Sequence, residues 1–263
     1  MPSLPPDDAA FLASYREQKW PRPAVTVDLV ILTVIDSDLK VLLIQRNEPP
    51  FKGSWALPGG FVRVGDTFDD QGEDVEAAAH RELAEETGLP RGSAYLEQLF
   101  TFGKTGRDPR TRVITVAYYA LVRPTLAPLV TAGTDAADAR WASVAAIGGL
   151  LDPALGFDRR AVGDGEVRGL AFDHAEILSV AIERVRGKLA HAPIGFDLVP
   201  ETFTTSELRT VHEAIHGTNI DPSNFRRRIK RMIEDGLIEQ APGMRQTATR
   251  PATVYRFKKP RRA

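Results

Sequence analysis

Residues 73–89 of this chain read EDVEAAAHRELAEETGL, a sequence that predicts a helix from Glu73 to Thr87 with Gly88 as its C-terminal cap. Within this helix Glu82, Glu85 and Glu86 lie at i, i+3 and i+4, so their carboxylates share one face. Clustered hard oxygen ligands suit Mg²⁺ or Mn²⁺, which also bind phosphate oxygens and lower the pKa of an attacking water. The carboxylate spacing by itself favours the alternative, a solvated helix face on which Arg81 pairs with Glu85.

The wider pattern around this helix resembles the Nudix box. Glu73, seven further residues, and the run from Arg81 to Leu89 match every position of the helical half of that box. The upstream segment Leu57-Pro58-Gly59-Gly60-Phe61-Val62 is similar to the family's entry to the box. The resemblance covers about residues 22–190 and implies an α+β fold, a Nudix α/β/α sandwich with a mixed sheet. It also implies ligand binding by Gly59, Gly60 and Arg81, and catalytic and metal-binding roles for Glu82, Glu85 and Glu86 if the domain is active.

The loop before the helix departs from the family pattern. Thirteen positions separate Gly60 from Glu73, which is seven more than the box prescribes. Asp66 stands at the expected distance from Gly60 and Glu73 at the expected distance from Arg81, and we favour Glu73 because it continues into the helix. Small misplacements in an active site can cost about 100-fold in rate, so the longer loop leaves hydrolytic activity open.

The loop from Arg46 to Trp55 is rich in Pro and Gly and carries two aromatic residues. Arg46, Phe51 and Trp55 are therefore candidates for contacts with the base and sugar of a nucleotide. Packing of Phe51 and Trp55 in the core or within the loop is an equally good interpretation.

The C-terminal region predicts two short helices joined by a tight turn. Thr204 and Glu207 have capping-box spacing, and Asp221 followed by Pro222 marks the start of the second helix. We expect one face of that helix, Pro222 to Asp235, to be buried through Phe225, Ile229, Met232 and Ile233. The opposite face is basic and carries Asn224, Arg226, Arg227, Arg228, Lys230 and Arg231. This is the pattern of a helix-turn-helix whose second helix enters the major groove of DNA.

Two strands, Leu237–Gln240 and Thr253–Phe257, are expected to follow, with a wing between them. Arg245 and Arg250 lie in that wing, and the tail adds Lys258, Lys259, Arg261 and Arg262 for contact with phosphates. From Pro222 onward there are twelve Lys and Arg but only three Asp and Glu, although the whole chain has a net charge of −1. A basic end on an acidic body favours a polyanionic partner. A basic face that binds a protein partner is the alternative.

Composition excludes several classes of protein. The 263 residues include no cysteine, which excludes disulfides and fits a reducing cytoplasm. The N-terminus lacks the features of a secretory signal, and no apolar run is long enough to span a membrane. We therefore expect three parts: an extended arm over 1–24, a Nudix-like effector-binding domain over 25–192 and a winged helix-turn-helix DNA-binding domain over 193–263.

A Nudix-like domain followed by a winged helix resembles the Nudix-related transcriptional regulators of NAD metabolism. The segments Asn224–Arg228 and Arg250–Phe257 look like that family's signatures. The resemblance implies a homodimeric repressor of NAD-biosynthesis or salvage genes that binds double-stranded operator DNA. It also implies ADP-ribose or a related nucleotide as effector. The complete Arg81–Glu86 segment keeps a second hypothesis open, a Mg²⁺-dependent hydrolase of ADP-ribose-type nucleoside diphosphates, and the two activities are compatible.

Overall fold

The computed structural model describes residues 6–17, 22–65, 70–127, 136–157, 167–191, 193–247 and 250–258. Within these ranges the helices are α1 (Pro6–Glu17), α2 (Val75–Thr87), α3 (His174–His191), α4 (Thr205–His216) and α5 (Pro222–Glu234). The strands are β1 (Ala24–Ile35), β2 (Asp38–Arg46), β3 (Trp55–Ala56), β4 (Gly59–Phe61), β5 (Tyr95–Phe102), β6 (Val113–Leu121), β7 (Ala136–Ser143), β8 (Phe203–Thr204), β9 (Ile238–Arg245) and β10 (Ala252–Phe257). None of the helices in these ranges is long and apolar enough to cross a membrane.

The first domain is built on a seven-stranded mixed sheet in which β1 is central. The strand order is β3-β2-β1-β6-β5, with β4 paired to β1 and β7 paired to β2. The pair β1–β6 is parallel, whereas the other pairs are antiparallel. Because β1 is apolar along most of its length, both of its faces can be buried. The α2 helix covers one face and α3 the other, which confirms the expected α/β/α sandwich.

The second domain consists of α4, α5 and the three-stranded sheet β8-β10-β9. Thr204 and Glu207 form the predicted capping box at the start of α4, and the Asp221 carboxylate accepts the Asn224 N–H at the start of α5. These local signals fix both helices, so the winged helix-turn-helix is confirmed.

The two domains share one hydrophobic core. The segment from Pro193 to Pro200 joins the two domains; in it Leu198 and Val199 are buried, and Pro193–Leu198 forms a short 3-10 helix. Both side chains join a cluster that also contains residues of α3, α4 and α5. The winged helix is therefore packed against α3 and is not joined to the first domain by a flexible linker alone.

Several boundary predictions were wrong for physical reasons. Residues 6–17 of the expected extended arm form α1, since Pro6 begins the helix and Asp7 and Asp8 interact favourably with its N-terminal dipole. The α2 helix starts at Val75, which leaves Glu73 in the preceding loop. Strand β9 continues to Arg245, so the wing is shorter than expected.

Candidate functional site

Arg81 is the centre of the acidic cluster on α2. Its Nη1 donates to Glu82 Oε1 at 2.6 Å and to Glu85 Oε2 at 3.0 Å, and its Nε donates to Glu73 Oε2 at 3.0 Å. The hydrogen bond from Arg81 lowers the pKa of Glu73 to about 2. Burial raises the pKa of Glu82 despite the adjacent guanidinium. The Arg81–Glu85 pair that the spacing allowed is thus present, as one part of a larger ion network.

The lengthened loop is tied into this network through Glu73. Glu73 Oε1 accepts the backbone N–H of Arg63 at 2.9 Å, and the Arg63 guanidinium reaches Glu85 Oε1 at 3.1 Å. Asp66, the alternative to Glu73, lies outside the described residues. These contacts of Glu73 support its assignment, in preference to Asp66, to the first glutamate position of the family pattern.

Gly59 and Gly60 allow β4 to approach the acidic helix and β1 closely. A Cβ on Gly60 would stand 2.3 Å from Glu82 Oε1, and one on Gly59 would stand 2.2 Å from the Val27 carbonyl oxygen. Gly59 also has a φ of 154°, which side-chain-bearing residues rarely adopt. Both positions therefore require glycine.

The acidic residues do not fit a divalent metal ion in this arrangement. Glu82 Oε1 and both Glu85 oxygens accept from the guanidinium groups of Arg81 and Arg63. Across the ranges given above, no three His, Cys, Asp or Glu side chains are placed to hold a metal. A metal ion could use Glu82 Oε1 or a Glu85 oxygen only after Arg63 and Arg81 release them.

A cleft of about 610 Å³ opens beside the acidic helix. Its volume is within the usual range for small-molecule sites. One wall holds Gly59, Gly60, Arg81, Glu82, Glu85 and Glu86. The opposite wall contains residues that the sequence did not single out, namely Asp28, Arg107, Asp108, Arg110, Phe172 and His174.

A buried ion network forms the floor of this cleft. Arg107 donates to both Asp173 oxygens at 2.8 and 2.7 Å and to Asp28 Oδ2 at 3.1 Å. Burial alone would lower the pKa of Arg107, but these two carboxylates raise it. His174 Nδ1 accepts the Leu57 N–H at 2.8 Å, and burial lowers the pKa of His174.

Two arginines and an aromatic ring line the mouth of the cleft. The guanidinium groups of Arg46 and Arg110 lie 4.9 and 5.9 Å from the centre of the Phe172 ring. Arg110 is paired with Asp108 at 2.7 Å, whereas Arg46 donates to the carbonyl oxygens of Pro50 and Glu48. Burial and the charge of Arg110 lower the pKa of Arg46. A bound anion would stabilise the charged form of Arg46, which is half-buried and lies beside a second cation.

The structure places the two aromatic candidates of the Arg46–Trp55 loop differently. Trp55 is only 5 % exposed and belongs to the hydrophobic core, because the pairing of β3 with β2 turns its ring inward. Phe51 does not line the cleft, although its ring packs edge-on against Phe172 at 4.8 Å. Phe61 and Phe172 supply the aromatic surface of the cleft instead.

The α5 helix presents a basic, solvent-exposed face. Asn224, Arg226, Arg227, Lys230 and Arg231 are all exposed. Arg227 donates to Asn224 on the neighbouring turn, which fixes both side chains on the same side of the helix. Arg250 is exposed at the base of the wing. In the tail, Lys259, Arg261 and Arg262 lie outside the described residues.

Two of the arginines assigned to DNA contact bind other elements of the fold. Arg228 is half-buried and donates to the Leu189 carbonyl oxygen at 2.6 Å. Arg245 is bound to Glu207 at the start of α4 and donates to the Thr202 carbonyl oxygen at 2.8 Å. Their guanidinium groups hold elements of the fold together and do not lie free on the surface of the domain.

Comparisons with known proteins agree with both halves of the structure. Residues 25–163 match the NUDIX domain family, and residues 195–257 match the NrtR DNA-binding winged helix domain. The chain is 36 % identical to the ADPR responsive transcriptional repressor NtrR of Acinetobacter baylyi over 250 residues, 95 % of this chain and 88 % of that protein. It is 40 % identical to the ADP-ribose pyrophosphatase of Methanocaldococcus jannaschii, but over only 120 residues, 45 % of this chain and 61 % of that enzyme.

A solved structure extends the similarity to the whole architecture. The crystal structure of Shewanella oneidensis NrtR complexed with a 27mer DNA superposes with a TM-score of 0.66 at 34 % identity, covering 89 % of this chain and 93 % of that one. Both domains therefore occur here in the same order as in a protein solved on DNA. The chain belongs to the Nudix family and, through its winged helix, to the NrtR group of transcriptional repressors.

Proposed function

We propose that this chain represses NAD-biosynthesis or salvage genes in the cytoplasm and leaves its operator when ADP-ribose or a related nucleotide binds the Nudix cleft. The observation that carries the effector assignment is the pair of guanidinium groups, Arg46 and Arg110, which lie 4.9 and 5.9 Å from the centre of the Phe172 ring. Among the described residues Arg46 makes no ion pair, so a diphosphate between the two arginines would supply the missing negative charge. The A. baylyi relative, whose name describes an ADPR-responsive repressor, supports the same ligand.

The DNA-binding half of the proposal rests on α5. Its exposed Asn and Arg side chains have the chemistry that reads adenine and guanine edges in the major groove. A helix-turn-helix that reads a two-fold operator places a symmetric dimer on the DNA, so we propose a homodimer. Sedimentation of the full chain with and without operator measures this state, and a monomer on DNA would contradict it.

The central experiment is a titration of ADP-ribose into the complex of the full chain with DNA from upstream of NAD-synthesis genes. We expect the DNA to be released, because a ligand that favours the DNA-free conformation must shift the equilibrium towards it. Adenosine, which lacks the diphosphate, is the control and should release little. Unchanged DNA affinity at saturating ADP-ribose would refute the proposed function.

A second candidate function is Mg²⁺-dependent hydrolysis of ADP-ribose. The complete segment from Arg81 to Glu86 and the similarity to the M. jannaschii enzyme favour it. The occupation of Glu85 by Arg63 and Arg81 opposes it. We expect ADP-ribose to bind equally well in Mg²⁺ and in EDTA, and to yield no AMP while the M. jannaschii enzyme releases it in parallel. Rapid release of AMP would make hydrolysis the better description.

A further inference from the structure

The α3 helix joins the effector cleft to the DNA-binding domain. Its first residue, His174, lines the cleft, and the residue before it, Asp173, is held by Arg107. The helix has 18 residues and is therefore about 27 Å long. Its C-terminal part packs into the core shared with α4 and α5. One rigid element thus contacts both sites.

Two arginines join the C-terminal end of α3 to the winged helix through hydrogen bonds, one donated from α3 and the other from α5. From α3, Arg186 donates to the Ile215 carbonyl oxygen in the last turn of α4 at 2.7 Å. From α5, Arg228 donates to the Leu189 carbonyl oxygen in the last turn of α3 at 2.6 Å. A cation at the C-terminal end of a helix is favourable because it satisfies free carbonyl groups and the helix dipole.

Arg228 differs from its neighbours on α5. Arg226 and Arg227 are exposed, whereas Arg228 is half-buried beside Ile229 on the side that faces α3. Burial lowers the pKa of Arg228, and its hydrogen bond is to a carbonyl oxygen in the other domain. A side chain held in this way is not available to read a base unless the two domains separate.

We propose that Arg228 is a positioning residue that fixes the recognition helix α5 to the C-terminal end of α3. The ligand then changes DNA affinity by moving the start of α3, where His174 lines the cleft and the preceding Asp173 is held by Arg107. This inference rests on the proposed function, since it explains how the effector site and the DNA site are coupled. Arg186 strengthens the same junction from the other side.

The test compares Arg228→Met with Arg227→Met in the full chain. Both substitutions remove one guanidinium group from α5 and keep a long stem, so they form a matched pair. DNA affinity is measured at several salt concentrations, with and without ADP-ribose, on a duplex selected from a random library by the wild-type chain. Hydrogen exchange of α5 is measured in the same variants without DNA.

We expect Arg228→Met to keep the wild-type salt dependence of DNA binding and to reduce the effect of ADP-ribose on DNA affinity at least fivefold. The affinity of this variant for ADP-ribose itself should not change. Amide exchange in α5 should become faster, because the helix has lost its attachment to α3. Arg227→Met should instead bind DNA about tenfold more weakly, with a salt slope lower by about 0.9 if its lost contact is to a phosphate, and respond normally to ADP-ribose.

Two results would overturn the assignment of Arg228. One is a lower salt slope with a normal response to ADP-ribose, which would make Arg228 a DNA contact. The other is unchanged hydrogen exchange in α5, which would show that the bond to Leu189 does not position the helix. If the wild-type chain ignores ADP-ribose, the proposed function fails, and the exchange data alone decide whether Arg228 positions α5. Arg228→Lys, which keeps the charge, replaces Arg228→Met if the latter does not fold.

Discussion

Replacement of Arg46 by Gln tests the proposed anion site directly. Arg46 lies 4.9 Å from the centre of the Phe172 ring and beside Arg110, and burial together with that second cation lowers its pKa. A hydrogen bond to a charged group contributes about 1.5–3 kcal/mol, which is about a 10- to 150-fold difference in Kd. We expect Arg46→Gln to weaken ADP-ribose binding by that factor. Loss of this charge should not lower the free energy of unfolding without ligand, because the substitution removes the repulsion between Arg46 and Arg110.

Isothermal titration calorimetry with ADP-ribose and with adenosine distinguishes the diphosphate from the base. Lys40→Gln is the matched control, since Lys40 lies on the same strand, pairs with Asp38 and does not line the cleft. Adenosine should bind Arg46→Gln as it binds the wild-type chain. ADP-ribose affinity within twofold of wild type would refute the anion site, and an equal loss for adenosine would place the base, not the diphosphate, at Arg46.

Three further predictions concern the scaffold. Gly60→Ala should displace the Glu82 carboxylate, lower stability by about 1–3 kcal/mol in a thermal melt and weaken ADP-ribose binding. Unchanged stability together with unchanged ADP-ribose affinity would contradict the close approach of Gly60 to Glu82. Arg107→Met leaves two carboxylates without their buried cation and should cost about 3–5 kcal/mol in denaturant unfolding, with a change under 1 kcal/mol counting against the network. Burial and the nearby charges of Arg228 and His216 lower the pKa of His212 to about 3, below its unfolded value, so His212 by itself should make stability fall by about 1.4 kcal/mol for each pH unit between about 6.5 and 3. His212→Leu should reduce the slope of stability against pH by that amount in urea melts between pH 7 and pH 5, while the contribution of His174 remains, and an unchanged slope would exclude His212 as a source.

The features that the sequence predicted well are those specified over a few residues. The α2 helix follows from the spacing of its glutamates and from Gly88, which ends it with a left-handed φ of 67°. The start of α4 follows from Thr204 and Glu207, three positions apart. Such signals are complete within one turn of a helix, so the rest of the fold is not needed to interpret them.

The second wall of the cleft could not be predicted in this way. Arg107 and Asp173 are 66 positions apart, and Arg107 and Asp28 are 79 positions apart, so no local pattern connects them. Asp173 even carries a competing local signal, because it stands three positions before Glu176 as a helix cap would. The charged loop Arg107–Arg110 was the available clue, since four residues containing two arginines and an aspartate between two strands are unusual for a simple turn.

The α5 helix shows most clearly what a single-domain interpretation omits. Its apolar residues predicted a buried face that includes Ile233, yet Ile233 is 41 % exposed while Arg228 is half-buried. At 100° per residue, the buried arc contains Phe225, Arg228, Ile229 and Met232 and is rotated away from Ile233. That rotation follows from a second packing partner, because α3 approaches from the side of Arg228 and offers a carbonyl oxygen to its guanidinium. An arginine is thus buried because a helix from the other domain ends beside it, and a count of basic residues on α5 overestimates the number that face DNA by at least this one.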